Sequence, residues 1–203
     1  IALGCAGTEL DVHLTKDKHI VVHHNAKLNH QYTRKPDGSW LTQKEERLIS
    51  ELTLRELKQY EIGEPNPNSD YQLRFSKLRP VEFQTIPTLE EVITLAKQNS
   101  DSFKLLIEIK TDILAKDDSA FLPLVESVLA MVESKGFSGR VEYCSFDWRA
   151  LILIKNRMPN VKTWFTTHPL DWLIGKEESN LTLSCKAQRL RKLRKAFSSG
   201  HAP

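Results

Sequence analysis

Long apolar runs are missing from this chain. None approaches the length needed to cross a bilayer as a helix, so no transmembrane segment is expected. Cysteine is scarce: Cys5, Cys144 and Cys185 are widely spaced and odd in number, which fits neither a disulfide framework nor a zinc site and reads as buried free thiols. Charge of one sign is lacking too. A net charge of +3 is too small to argue for nucleic acid, and much of that excess sits between Lys186 and Lys195. The sequence opens on Ile1 with neither an initiator methionine nor a charged leader and apolar signal segment, so it reads as a fragment or a processed form. Its compartment, whether periplasmic, secreted or cytoplasmic, is therefore unreadable. What remains is an ordinary globular composition of 203 residues, long enough for one domain with a core.

The most informative stretch runs from Gly7 to Asn25. Glu9, Asp11 and His13 alternate with Leu10, Val12 and Leu14, a period of two that predicts a strand with both carboxylates on one face. After Thr15-Lys16-Asp17-Lys18 comes the β-branched run Ile20-Val21-Val22, and so short a link forces a hairpin rather than a parallel crossover. A two-residue loop at Lys16-Asp17 sets Glu9 opposite His24; one at Asp17-Lys18 sets Asp11 there. Both put His24 on the carboxylate face, and an odd loop would not. Lys18 stands where a turn of this kind commonly has glycine, which disfavours a turn needing positive φ. Two carboxylates and an imidazole on one face suit a divalent-metal hydrolase, with hard oxygen ligands for Mg²⁺ or Ca²⁺ and a base that titrates near neutrality. An amphipathic hairpin with its charges in water shows the same alternation.

From Asn25 to about Gln84 there is little periodicity and many turn formers, such as Lys35-Pro36-Asp37-Gly38. This is a loop-rich insertion (about residues 25–85), with one short helix predicted after Ser50. An insertion this long commonly covers a site. Regular alternation follows. A helix capped by Thr88 ends near Ser100, a strand spans Lys104–Lys110, and a helix from about Ser119 to Lys135 stops at Gly136. A strand at Arg140–Phe146, a helix at Arg149–Met158 and a strand at Val161–Thr166 complete the series. Strands alternating with helices predict an α/β fold with a parallel sheet. Residues 176–203 form a basic tail, predicted to lie outside the domain of residues 1–175 as an exposed helix or as disorder.

Glu-Leu-Asp-Val at residues 9–12, the Thr-Lys-Asp turn and Val-Val-x-His ending at His24 resemble the signature of the glycerophosphodiester phosphodiesterase family. Ile86-Pro87-Thr88-Leu89-Glu90-Glu91-Val92, Leu105-Leu106-Ile107-Glu108-Ile109-Lys110 and Ser145-Phe146-Asp147 follow in that family's order. The likeness covers Ile1 to about Leu173. It implies strands two to five of a (β/α)₈ TIM barrel, a hairpin at the barrel mouth, and chemistry at the C-terminal strand ends. By resemblance, Glu9, Asp11 and Glu108 hold one divalent cation, Mg²⁺ or Ca²⁺. His24 is the second acid/base histidine, and Lys110 and Phe146 contact substrate. Glu108 also makes sense from below, because a carboxylate in so apolar a strand needs a cation or partner, and Lys110 shares its face. Asn25 stands where the family usually has aspartate after the histidine. The implied activity is metal-dependent hydrolysis of a glycerophosphodiester to sn-glycerol 3-phosphate and an alcohol, on a small-molecule substrate and without nucleic acid. The family's first histidine belongs to a His-Arg-Gly element on a preceding strand, and these 203 residues do not contain it. Two alternatives stand beside this activity: a related sphingomyelinase D-type lipid phosphodiesterase, and a catalytically inactive remnant that binds metal or phosphate.

Overall fold

A computed structural model describes residues 4–112 and 121–167. The alternation at the N-terminus becomes strand β1 (Gly7–Leu14), and the β-branched run becomes its antiparallel partner β2 (Ile20–Val22). Three further strands follow: β3 (Lys104–Ile109), β4 (Val141–Ser145) and β5 (Thr163–Phe165). They form one sheet in the order β2-β1-β3-β4-β5, with β1, β3, β4 and β5 mutually parallel. This is the partial (β/α)₈ barrel expected from the sequence, with the hairpin at one edge.

Two short helices, α1 (Leu54–Leu57) and α2 (Asp70–Arg74), lie in the insertion, and three longer ones, α3 (Leu89–Asn99), α4 (Leu122–Ser134) and α5 (Trp148–Arg157), connect the strands. Helix α3 starts where Thr88 accepts a hydrogen bond from the Glu91 amide while Glu91 accepts one from the Thr88 amide, which satisfies two amides that no helical carbonyl can reach. Gly136, at φ 59°, ends the α4 segment as expected. The apolar stripes of α3, α4 and α5 pack on one face of the sheet, burying Leu10 and Val12 of β1, Leu105, Ile107 and Ile109 of β3, and Val141 and Tyr143 of β4. Alternation leaves Glu9, Asp11, Leu106, Glu108, Glu142, Cys144 and Trp164 on the other, inner face. Strands β1 and β3 approach closely at Gly7, where a Cβ would stand 2.6 Å from the Lys104 carbonyl oxygen.

Two expectations need correction. The hairpin loop has five residues, Thr15–His19, so the register pairs Leu14 with Ile20 and Val12 with Val22. Neither even-numbered loop occurs because Lys18 takes φ 67°, the conformation its side chain disfavours. The Thr15 hydroxyl holds that turn by donating to Asp17 at 2.6 Å and accepting from the His19 amide at 2.9 Å. The insertion, for its part, is more than turns and one helix. It carries α2 as well as α1, and Leu28, Leu41, Ile49, Leu52, Leu57 and Ile86 make a small core with Val21 of β2. The insertion also clasps the hairpin: Asp17 accepts from the Leu54 amide at 3.0 Å, and the Leu52 carbonyl accepts from the Lys16 amide at 2.8 Å. The basic tail lies outside the described residues, as does the expected start of α4. Among the described residues no helix is long and apolar enough to cross a membrane.

Candidate active site

Parallel register sets Asp11 of β1 beside Glu108 of β3, and Glu108 beside Cys144 of β4. Residues level in a parallel sheet share a face, so the row Asp11–Glu108–Cys144 lies across the inner face near the C-terminal end of β3. Glu9, two residues before Asp11, joins it from below. Acceptor atoms of Glu9, Glu108 and Cys144 all lie within 4.8 Å of one another. Asp11 stands apart from this trio because Lys110, just past the end of β3, takes it: Nζ is 2.9 Å from Asp11 Oδ1 and 2.6 Å from Glu108 Oε1.

Among the described residues, Lys110 is the only cation paired with these three carboxylates. Partial burial of Glu9, followed by the charges of Asp11 and Glu108, raises its pKa. Burial works against the Lys110 ammonium, but hydrogen bonds to Glu108 and Asp11 outweigh it and hold its pKa above the ordinary lysine value. Glu108 Oε1 is buried and lies 2.6 Å from the Lys110 ammonium. Three carboxylates gathered around one ammonium leave the array short of positive charge, which fits a site for a divalent cation.

His24 has left the pairing, since β2 ends at Val22. The odd register instead puts His23 opposite Asp11, and the His23 amide donates to the Asp11 carbonyl at 3.0 Å. His23 is buried, its pKa is lowered by desolvation, and its Nδ1 lies 2.7 Å from the Asn25 carbonyl oxygen. His24 is exposed at the mouth of the cleft. Its Nδ1 lies 2.7 Å from Asn25 Oδ1, and Asn25 Nδ2 donates to the Tyr32 hydroxyl at 3.3 Å. The amide at residue 25 therefore engages Nδ1 of the ring as a carboxylate would, but without adding negative charge. A cleft of about 470 Å³ has His24, His13, Lys110, Thr111 and Ser50 among its lining residues, so the insertion forms part of its wall.

The Phe146 ring lies under Lys110, with Nζ 5.8 Å from the ring centroid. The Ser145-Phe146-Asp147 motif fixes the turn around it through a polar network whose other members, Thr111 and Arg149, the sequence did not single out. The Ser145 hydroxyl donates to the Ile109 carbonyl at 2.8 Å and accepts from the Asp147 amide at 3.0 Å. Asp147, 4% exposed, is gripped by Arg149 at 2.9 and 2.8 Å and by the Thr111 hydroxyl at 3.1 Å. These contacts tie the ends of β3 and β4 together beneath Lys110 and Phe146. Cys144 was also missed as a member of the site. It is a buried free thiol, as expected, whereas Cys5 is exposed. Only the cross-strand register brings Cys144 to Glu108.

The family model for the glycerophosphoryl diester phosphodiesterase family matches residues 1–191. A curated glycerophosphodiester phosphodiesterase from Bacillus altitudinis is 31% identical over 159 residues, covering 78% of this chain and 54% of that protein. A solved structure from Silicibacter pomeroyi DSS-3, named as a glycerophosphoryl diester phosphodiesterase, superposes with a TM-score of 0.75 at 29% identity, covering 85% of this chain and 62% of the other. An Oleispira antarctica phosphodiesterase shares the fold, with a TM-score of 0.57 at 21% identity, covering 95% and 62% of the two chains. The chain spans about half the length of the curated relatives it matches. By its sequence, its half-barrel and the residues gathered on the inner face, this chain belongs to the glycerophosphoryl diester phosphodiesterase family.

Proposed function

We propose that this chain supplies the cation-binding and phosphate-binding side of an enzyme that hydrolyses glycerophosphodiesters to sn-glycerol 3-phosphate and an alcohol. The observation that carries this is Lys110 lodged between Asp11 and Glu108, with Glu9 beside them, at the end of the sheet where barrels of this kind do their chemistry. The family is generally divalent-metal dependent. Glu9, Asp11 and Glu108 would hold one Mg²⁺ or Ca²⁺, which when bound polarises a phosphoryl oxygen and stabilises charge developing on it. The Oleispira protein was solved with the product sn-glycerol-3-phosphate, the same product class as that proposed.

The chain's own residues then have separate tasks. Lys110 neutralises part of the carboxylate charge and offers its ammonium to a phosphate oxygen. Phe146 walls the site beneath that ammonium. His24, its ring set by Asn25, moves a proton at Nε2, either taking it from the attacking hydroxyl or giving it to the departing alcohol oxygen. The insertion limits access of water to the cleft.

The test is release of choline from glycerophosphocholine with added Mg²⁺ or Ca²⁺. It uses the 203-residue chain and a form extended by a preceding strand that bears His-Arg-Gly. Turnover is expected from the extended form, is lost with EDTA, and falls by roughly 10²–10⁴-fold in His24→Ala. The 203-residue chain, with one of the two implied histidines, is expected to be slower by a similar factor. EDTA-resistant turnover that survives His24→Ala contradicts the proposal.

A further inference from the structure

The insertion carries an exposed apolar loop that the proposed chemistry does not use. Of the nine large hydrophobic residues exposed among the described residues, five fall between positions 73 and 83: Leu73, Phe75, Leu78, Val81 and Phe83. Single exposed leucines are ordinary, but so dense a run marks an interaction surface. The loop is not slack chain. Its stem is closed by hydrogen bonds from the Val81 amide to the Gly63 carbonyl at 2.9 Å and from the Ile62 amide to the Gln84 carbonyl at 2.8 Å, and a side chain at position 63 would collide with the Val81 carbonyl. Phe75 packs on Tyr71 and Tyr71 on Tyr32, with ring centroids 4.7 and 5.1 Å apart, and Tyr32 meets the Asn25 that engages His24. Packed rings thus join the loop to the rim of the cleft. Phe83 is the outlier: it holds φ 59°, a costly conformation for a bulky residue. Its ring is 78% exposed, so burial offsets little of that cost.

Charge decides what such a loop meets. Arg74, Lys77 and Arg79 are interleaved with its apolar residues, against Glu82 alone. Among the described residues none of these three cations is in an ion pair, whereas Lys35, Lys58, Lys135 and Arg157 elsewhere on the surface are each matched by a glutamate. Unpaired cations of one sign, spread along the whole loop among leucine and phenylalanine, complement a uniformly anionic plane. We propose that residues 73–83 are a docking loop for an anionic bilayer surface, with Leu73, Leu78 and Phe83 entering the interface and Arg74, Lys77 and Arg79 held against headgroup phosphates. This goes beyond the hydrolytic reading and does not depend on it. Long basic side chains suit the position, because their stems lie along apolar surface while their charges stay at headgroup level. Docking of this kind is peripheral and reversible, and salt weakens it.

The test is sedimentation of the 203-residue chain with vesicles of phosphatidylcholine alone and of phosphatidylcholine mixed with phosphatidylglycerol. Binding to the mixed vesicles is expected, and much weaker binding to the neutral ones. The triple variant Arg74→Gln/Lys77→Gln/Arg79→Gln should lose about 10²-fold in affinity, since each cation near an anionic surface contributes about fivefold. Phe83→Gly removes the ring and relieves the positive φ, so its thermal midpoint should rise while vesicle affinity falls. A purely structural role for Phe83 does not produce that pairing. The basic tail competes for the same lipid, so Arg191→Gln/Lys192→Gln/Arg194→Gln is measured beside them and should keep most of the binding. Circular dichroism checks that each variant is folded. Full binding by both loop variants, with loss in the tail variant, overturns the proposal and assigns the lipid to the tail. Absence of parent binding to mixed vesicles overturns it too; a dimer in sedimentation velocity that both loop variants dissociate would then assign the loop to a second copy of this chain.

Discussion

The two faces of one sheet differ more than any two separate parts of this molecule. Facing the helices, Val12, Leu105 and Ile107 are each fully buried among aliphatic neighbours. One residue along the same strands, Asp11, Leu106 and Glu108 face the other way, into a mouth of carboxylates, one ammonium and a thiol. Glu9 and Trp164, also on that face, are exposed. Alternation with period two thus divides labour within a single strand: in β3, Ile107 builds the core and Glu108 the site. Burial of aliphatic side chains stabilises the fold by about 1.5–3 kcal/mol each. The inner face gathers like charge, which costs stability and is tolerated for its chemistry.

The largest effect on stability is expected from Ile107→Ala, which opens a cavity against α4 and α5. Denaturant unfolding should show a loss of about 2–5 kcal/mol, with the cation affinity of the folded fraction unchanged. Glu108→Gln, its neighbour, should cost less than Ile107→Ala, because it removes a repelling charge and leaves Lys110 paired with Asp11. Equal losses from the two substitutions would break the contrast between the faces.

Gly7→Ala probes the edge where both faces depend on register. Its Cβ would meet the Lys104 backbone at 2.6 Å, and the shift required should cost about 1–3 kcal/mol. A smaller gain is expected at the hairpin tip. Lys18 holds φ 67°, and Lys18→Gly should raise stability by about 1 kcal/mol, read from the thermal midpoint.

The smallest effect concerns Asp17, whose carboxyl is held down to about 2 by hydrogen bonds, first from Thr15 and then from the Leu54 amide. A carboxylate with a depressed folded-state pKa contributes stability that is full above about pH 4 and is lost as pH falls through about 2. Asp17→Asn should therefore lower stability at neutral pH and flatten its decline between those values, measured as unfolding midpoint against pH.

Local signals were readable and long-range ones were not. Helix α3 announces itself through Thr88 and Glu91, which complete a cap within four residues. Glu9 and Asp11 declare their common face by alternation alone. The five-residue loop could not be read because it depends on Lys18 entering a disfavoured conformation, held there by Thr15 and Asp17 and by contacts with residues 52–54. That one change moved His23, in place of His24, opposite Asp11. The core of the insertion escaped for a related reason: Leu28, Leu41, Ile49 and Ile86 meet without any period between them. Cys144 joined the site through strand register, which no local pattern encodes. The family resemblance had placed Glu9, Asp11, Glu108, Lys110, Phe146 and His24 together. The structure puts Glu9, Glu108 and Cys144 within reach of one another, Asp11 and Phe146 against Lys110, and His24 at the rim of the cleft.

The claim that the inner face is built around a cation is tested most directly by calorimetric titration of the chain with Mn²⁺, Mg²⁺ and Ca²⁺ beside its Glu108→Gln variant. One ion per chain is expected for the parent protein, and affinity should fall by at least about 10–100-fold in the variant while its unfolding midpoint stays within a few degrees. Equal cation affinity in parent and variant, with both folded, would contradict it.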